Sequence, residues 1–177
     1  MDLSTDYFEL FNIPQGFDVD LPNLAQQYRR LQQQFHPDKY AGKSAQQKRL
    51  AEQYTALFNQ AFVTLKDPLT RAQYLLTLRG IDGSHENTTH QDSEFLFEQM
   101  ELRESLAAVR ESDRPFAVLE VLAELVADRL TELQQQFALI YNAGNLDSAR
   151  ELVAKMQFFN KLSREIKALE AELEDSA

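Results

Sequence analysis

Within Tyr28-Arg29-Arg30-Leu31-Gln32-Gln33-Gln34-Phe35-His36-Pro37-Asp38-Lys39 a helix has to stop. Leu24, Tyr28, Leu31 and Phe35 recur at steps of four, three and four, which puts them on one side of an α-helix. Asp20 is a good N-cap for it, and Pro22 suits a first turn, where the missing N–H costs nothing. Pro37 then pushes His36 out of the α region and stiffens the turn. His36 and Asp38 project from a rigid corner, one cationisable group beside one fixed anion. A carboxylate held this way is placed to accept a paired bond from an arginine on a partner. Taken alone, His36-Pro37-Asp38 is also compatible with an ordinary helix stop. Its setting between two amphipathic helices gives it weight.

Outward from this corner nearly everything reads as helix. Leu50, Tyr54, Leu57, Phe58, Ala61, Phe62 and Leu65 form a broad apolar stripe, closed by Lys66-Asp67-Pro68. Leu69, Ala72, Leu75, Leu76 and Leu78 continue in a shorter helix with Gly80 as its stop. A short amphipathic segment, Tyr7–Phe11, precedes them all. The polar stretch Gly80–Gln91 has no period and reads as a linker. Three longer patterns follow. One runs from an Asp92/Ser93 cap to about Arg110, and one from near Pro115 to Asn142 with Gly144 as a stop. The third is capped by Asn145 and carries Leu152, Met156, Phe159, Leu162, Ile166, Leu169 and Leu173 on one side. Joined by short loops, these should form an antiparallel bundle. Alternating strand patterns are absent. The expected architecture is all-α: a helical-hairpin module at 1–80, a linker at 81–91 and a three-helix bundle at 92–177.

The chain has 177 residues, 44% of them apolar, enough to bury a real core in one domain or two small ones. Five Gly and five Pro are too few for a loop-rich β-sandwich. Met1 to Gly80 carries nine basic and eight acidic side chains; Ile81 to Ala177 carries nine basic and twenty acidic. A net charge of −10 argues against nucleic acid, whose phosphates call for clustered Lys and Arg, and against anionic membranes. The absence of Cys excludes disulfides, thiolate nucleophiles and Cys-ligated zinc or iron–sulfur clusters. The longest apolar run, Phe137-Ala138-Leu139-Ile140-Tyr141, is far below the ~20 residues of a membrane span. The acidic start Met1-Asp2-Leu3-Ser4-Thr5-Asp6 lacks the order of a signal peptide, so a cytoplasmic protein is expected.

The helix that begins near Ser93 has two apolar faces. At 100° per residue from Phe95, the residues Phe95, Leu102, Leu106 and Val109 fall within ~40° of one direction and make the core stripe. Leu96, Phe97 and Met100 fall ~100–200° away, bordered by Glu101, Arg103 and Glu104. A helix on the outside of a three-helix bundle buries one stripe and needs no second. The extra face is therefore either a binding surface rimmed by charge or a side buried because this helix lies centrally or packs on the first module. Phe158, next to core-stripe Phe159 on the last helix, could extend it.

The His36-Pro37-Asp38 corner, with Tyr28-Arg29-Arg30 before it and Lys39 after it, resembles the J domain of DnaJ-like co-chaperones. That resemblance implies a surface for a DnaK-type chaperone ATPase made of His36, Pro37 and Asp38 with Tyr28, Arg29, Arg30 and Lys39. Tyr28 belongs either to the core stripe or to the contact. Gln32-Gln33-Gln34 stands where many J domains carry more Lys and Arg, which weakens steering toward an acidic partner and points to a dedicated one. The whole arrangement, and the string Phe95-Leu96-Phe97-Glu98-Gln99-Met100-Glu101-Leu102-Arg103-Glu104, resembles the HscB family of iron–sulfur co-chaperones in its shorter bacterial form. The resemblance implies a HscA-like chaperone partner. It also implies an IscU-like scaffold bound by Leu96, Phe97, Met100, Glu101, Arg103, Glu104 and Phe158. Three other readings compete: an enzyme, a general J protein, and a purely structural helical bundle, the last of which leaves the placement of His36-Pro37-Asp38 and the second apolar face unexplained. An enzyme would need a nucleophile, oxyanion donors or a phosphate loop, and none is present; His85 and His90, with Glu86 and Asp92 nearby, read as linker histidines and not as metal ligands. No catalysis, cofactor or metal is expected. A general J protein for unfolded clients would need adaptable apolar surface or a flexible Gly-rich segment.

Overall fold

The computed structural model describes residues 6–40, 42–82 and 92–175, with the side chains of Pro37 and Asp38 left out. Among the described residues there is no strand. Seven α-helices follow in order: α1 (Tyr7–Leu10), α2 (Leu21–Phe35), α3 (Ala45–Lys66), α4 (Pro68–Leu78), α5 (Ser93–Ala108), α6 (Pro115–Asn142) and α7 (Leu146–Asp175). The chain divides into two compact units, Met1–Leu75 and Leu76–Ala177, so the division falls inside α4.

In the first unit α2 and α3 form an antiparallel hairpin. Tyr28 stacks on Phe62 with centroids 4.2 Å apart, while Phe35, seven residues on, meets Tyr54 and Phe58 at 5.1 and 5.4 Å. The Asp20 carboxylate caps α2 through the Asn23 N–H at 3.0 Å, with Pro22 in the first turn. Leu24, Ala51, Tyr54, Phe58, Ala61 and Leu65 are buried between the helices; each large side chain so placed contributes about 1.5–3 kcal/mol. Leu50, expected on the same stripe, is exposed. It lies in the opening turns of α3, where residues 45–50 all face solvent. Phe8, Leu10, Phe11 and Phe17 close the core from the N-terminal side. Arg71 of α4 is buried with them: its guanidinium stands 5.0 Å over the Phe17 ring and donates to the Leu65 carbonyl at 2.6 Å. Burial lowers its pKa first of all, against the raising influence of Asp67 and Asp18.

In the second unit the three long helices run up, down and up. Arg129 of α6 stands over Phe159 of α7 at 5.9 Å, equidistant in sequence from the turn at Gly144, as antiparallel neighbours should be. Gly144 takes φ +79, and the Asn145 N–H reaches back to the Ile140 carbonyl at 3.2 Å, so a residue tolerant of the left-handed region ends α6. The core is Leu119, Leu122, Val126, Leu133, Phe137 and Tyr141 of α6 with Val153, Met156, Phe159, Leu162, Ile166 and Leu169 of α7. α5 contributes Phe95 and Leu102, followed by Val109 in a 3-10 turn. Leu106, expected in that stripe, is half-buried.

Candidate partner-binding surfaces

The first surface lies where α2 stops. His36 has φ −57 and ψ 130, outside the α region, as a residue before proline must be. Pro37–Tyr40 then make one 3-10 turn, closed by the Lys39 N–H donating to the His36 carbonyl at 2.9 Å. A capping box fixes the far side: Ser44 Oγ accepts from the Gln47 N–H and Gln47 Oε1 accepts from the Ser44 N–H, at 3.3 and 3.2 Å. The corner is therefore pinned at both ends. Arg29, Gln32, Gln33, His36 and Lys39 line an open groove of about 530 Å³. From Arg29 to His36 the steps are three, one and three, so these four share one helix face.

Of the residues expected here, His36, Arg29, Arg30 and Lys39 are exposed. Arg30 lies about 100° round the helix from Arg29 and does not line the groove. The side chains of Pro37 and Asp38 lie outside the described residues. Tyr28 divides by atom. Its ring is half-buried against Phe62, with Phe11 edge-on at 6.5 Å; its hydroxyl donates to Asn59 Oδ1 at 2.8 Å and accepts from Gln32 Nε2. Gln32 and Gln33, which stand in the sequence as missing charge, both line the groove. The spacing from Arg29 to His36 was the signal that could have found them.

The second surface is the outer face of α5. Phe95 and Leu102 are 3% and 6% exposed, whereas Leu96, Phe97 and Met100 are 37%, 62% and 60% exposed. The alternative of a doubly buried helix is thereby removed. Glu101, Arg103 and Glu104 are exposed at its edge. Phe158 of α7 is half-buried, edge-on to Phe95 at 5.7 Å and to Phe159 at 5.3 Å, and the Arg103 guanidinium stands 5.5 Å over its ring. α5 and α7 thus meet along one flank of the exposed strip. The other flank of α5 is tied to α6 by the fork between Glu98 and Arg129, at 2.8 and 3.0 Å. Glu98 first, then Glu132, raises the pKa of Arg129. Lys155, by a hydrogen bond to the Asp92 carboxylate, holds that carboxyl below its ordinary value. Asp92 is thus the cap its sequence position implies, with a second partner, Lys155, that no local pattern signals.

Among the described residues no group of three or more His, Asp or Glu side chains could hold a metal ion, and His85 and His90 lie outside them. No described helix is long and apolar enough to cross a membrane.

Residues 6–74 match the DnaJ domain family, and residues 91–167 match the family described as HSCB C-terminal oligomerisation domain. The co-chaperone protein HscB homolog of Shewanella baltica strain OS195 is 43% identical over 173 residues, covering 96% of this chain and 99% of that protein. The homolog from Shewanella halifaxensis is also 43% identical, over 174 residues. Among solved structures, chaperone HscB from Vibrio cholerae superposes with a TM-score of 0.87 at 38% identity, covering 95% of this chain and 99% of that one. The crystal structure of human co-chaperone protein HscB gives 0.89 at 30% identity, covering 96% and 84%. Since the likeness runs through the second half as well as the widely shared J domain, this chain belongs to the HscB family of J-domain co-chaperones.

Proposed function

We propose that the chain is an adaptor that brings an IscU-like iron–sulfur scaffold to a HscA-like, DnaK-type chaperone in the cytoplasm. A J module at 1–80 engages the chaperone through His36, Pro37 and Asp38, with Arg29, Arg30, Lys39 and the Tyr28 hydroxyl beside them. Beyond a linker at 81–91, a bundle at 92–177 holds the scaffold through Leu96, Phe97, Met100, Glu101, Arg103, Glu104 and Phe158. ATP is hydrolysed in the chaperone, stimulated by the corner, and this chain supplies no catalytic group. The cluster is cargo of the scaffold. Carrying both partners raises the scaffold's effective concentration at the chaperone, which adds affinity without new contacts.

The observation that supports this reading most is the exposed Leu96, Phe97 and Met100 beside an Arg103-capped Phe158. Apolar surface rimmed by charge is what a folded partner needs, and Met adapts its shape to one. The test uses the full chain with purified HscA-type chaperone and IscU-type scaffold. His36→Gln is expected to lose ATPase stimulation and keep scaffold binding; Leu96→Ala with Phe97→Ala is expected to do the converse. Equal loss of both activities in either variant refutes the division of labour.

A further inference from the structure

α5 rests on little apolar burial, since Phe95 and Leu102 are the buried members of its sixteen residues. Polar pins therefore carry much of its placement. Two join this segment to α7: Asp92 with Lys155 Nζ at 2.6 Å, and Arg110 with Glu172 at 3.0 and 2.7 Å. Their sequence offsets, 63 and 62 residues, are nearly equal, as two parallel helices of the same rise require. Together they set the register of α5 on α7.

The two pins touch different things. Arg110 and Glu172 are exposed and share a groove with Arg103, ten residues or more along the chain from Leu96, Phe97 and Met100. The Asp92 carboxylate accepts the Phe95 N–H at 3.0 Å with one oxygen and Lys155 with the other, while its backbone carbonyl accepts the Leu96 N–H at 3.0 Å. The first apolar residue of the exposed face thus hangs from the residue that Lys155 grips. The same ammonium stands 5.1 Å from the centre of the Phe95 ring, on which Phe158 sits edge-on. One cation thus touches both the cap from which Leu96 hangs and the buried ring on which Phe158 rests.

Resting on the docking of a scaffold there, we infer that Lys155 is a positioning residue: its bond to Asp92 fixes where Leu96 and Phe97 stand relative to Phe158, and so how tightly an iron–sulfur scaffold binds. Without the ammonium the first turn of α5 frays, and the cost of ordering it again is subtracted from the binding free energy.

The experiment is calorimetric titration of the full chain with purified IscU-type scaffold. Lys155→Met is expected to weaken binding about tenfold, with Lys155→Arg recovering most of it. Asp92→Asn keeps a capping oxygen but loses the ion pair. It should cost as much as Lys155→Met, and the double variant should cost no more than either. Arg110→Ala should stay within about twofold of wild type. Amide exchange at Phe95 and Leu96 in the unbound chain should quicken in Lys155→Met and not in Arg110→Ala. Additive losses mean that Lys155 touches the scaffold itself, and an equal loss in Arg110→Ala means general loosening; either overturns the inference. Wild-type affinity in Lys155→Met, with affinity lost in Leu96→Ala/Phe97→Ala, overturns it alone. Unchanged affinity in both overturns the docking reading and this inference with it.

Discussion

The ring of Tyr28 lies flat on Phe62 while its hydroxyl sits between Gln32 and Asn59 at the lip of the groove. Helical period gives its face but not this division, because period says nothing about how deep a long side chain reaches. Tyr28→Phe keeps the stack and deletes a hydroxyl at the chaperone contact; it should cost about 1 kcal/mol in urea unfolding and reduce ATPase stimulation without abolishing it as His36→Gln does. Tyr28→Ala removes the stack and should cost roughly 3 kcal/mol or more. Tyr74 carries a different signature. Its hydroxyl accepts from the Tyr7 N–H at 3.0 Å and donates to Asp6 at 3.2 Å. Burial, more than the Asp6 charge, pushes its pKa up to about 12. The folded state thus prefers the neutral phenol. The stability linked to it is intact below the ordinary tyrosine value and is lost as pH rises through the raised one. An absorbance titration should contain a tyrosinate step near 12, and Tyr74→Phe should remove that step.

Along α5 neighbouring residues have opposite fates, which makes the helix its own control. Leu96→Ala with Phe97→Ala removes exposed surface and should move thermal stability by less than about 1 kcal/mol. Phe95→Ala or Leu102→Ala opens the core and should cost about 2–5 kcal/mol. If the outer pair proves as costly as the inner, the face belongs to the core. The two faces were legible because a helical repeat sorts residues by angle, and Phe95 falls opposite Phe97 by arithmetic. The stops at His36, Gly80 and Gly144 were legible because proline and glycine act through local backbone sterics. What escaped was set by distance in sequence. The Asp92–Lys155 and Arg110–Glu172 pins join residues more than sixty apart, and in a chain with 18 basic and 28 acidic residues no local pattern selects those pairs. Leu50 escaped because period assigns an angle to every turn, whereas burial needs a neighbour beside that turn.

Across the whole molecule, two surfaces on one chain make a variant with one of them an antagonist of the intact protein. His36→Gln keeps the α5 face, so in excess over the scaffold it occupies scaffold molecules without promoting hydrolysis. The intact adaptor is then left with fewer loaded complexes, and tethering no longer concentrates scaffold at the chaperone. Steady-state ATPase of a HscA-type chaperone with limiting IscU-type scaffold should therefore fall as His36→Gln is added to a fixed amount of wild type. The triple variant His36→Gln/Leu96→Ala/Phe97→Ala should not inhibit, because it holds no scaffold. The acidic half, with nine basic and twenty acidic side chains, makes an added nonspecific charge effect the natural rival explanation. Both variants carry that half unchanged in charge, so equal inhibition by the two points to charge, and inhibition by His36→Gln alone points to the apolar face.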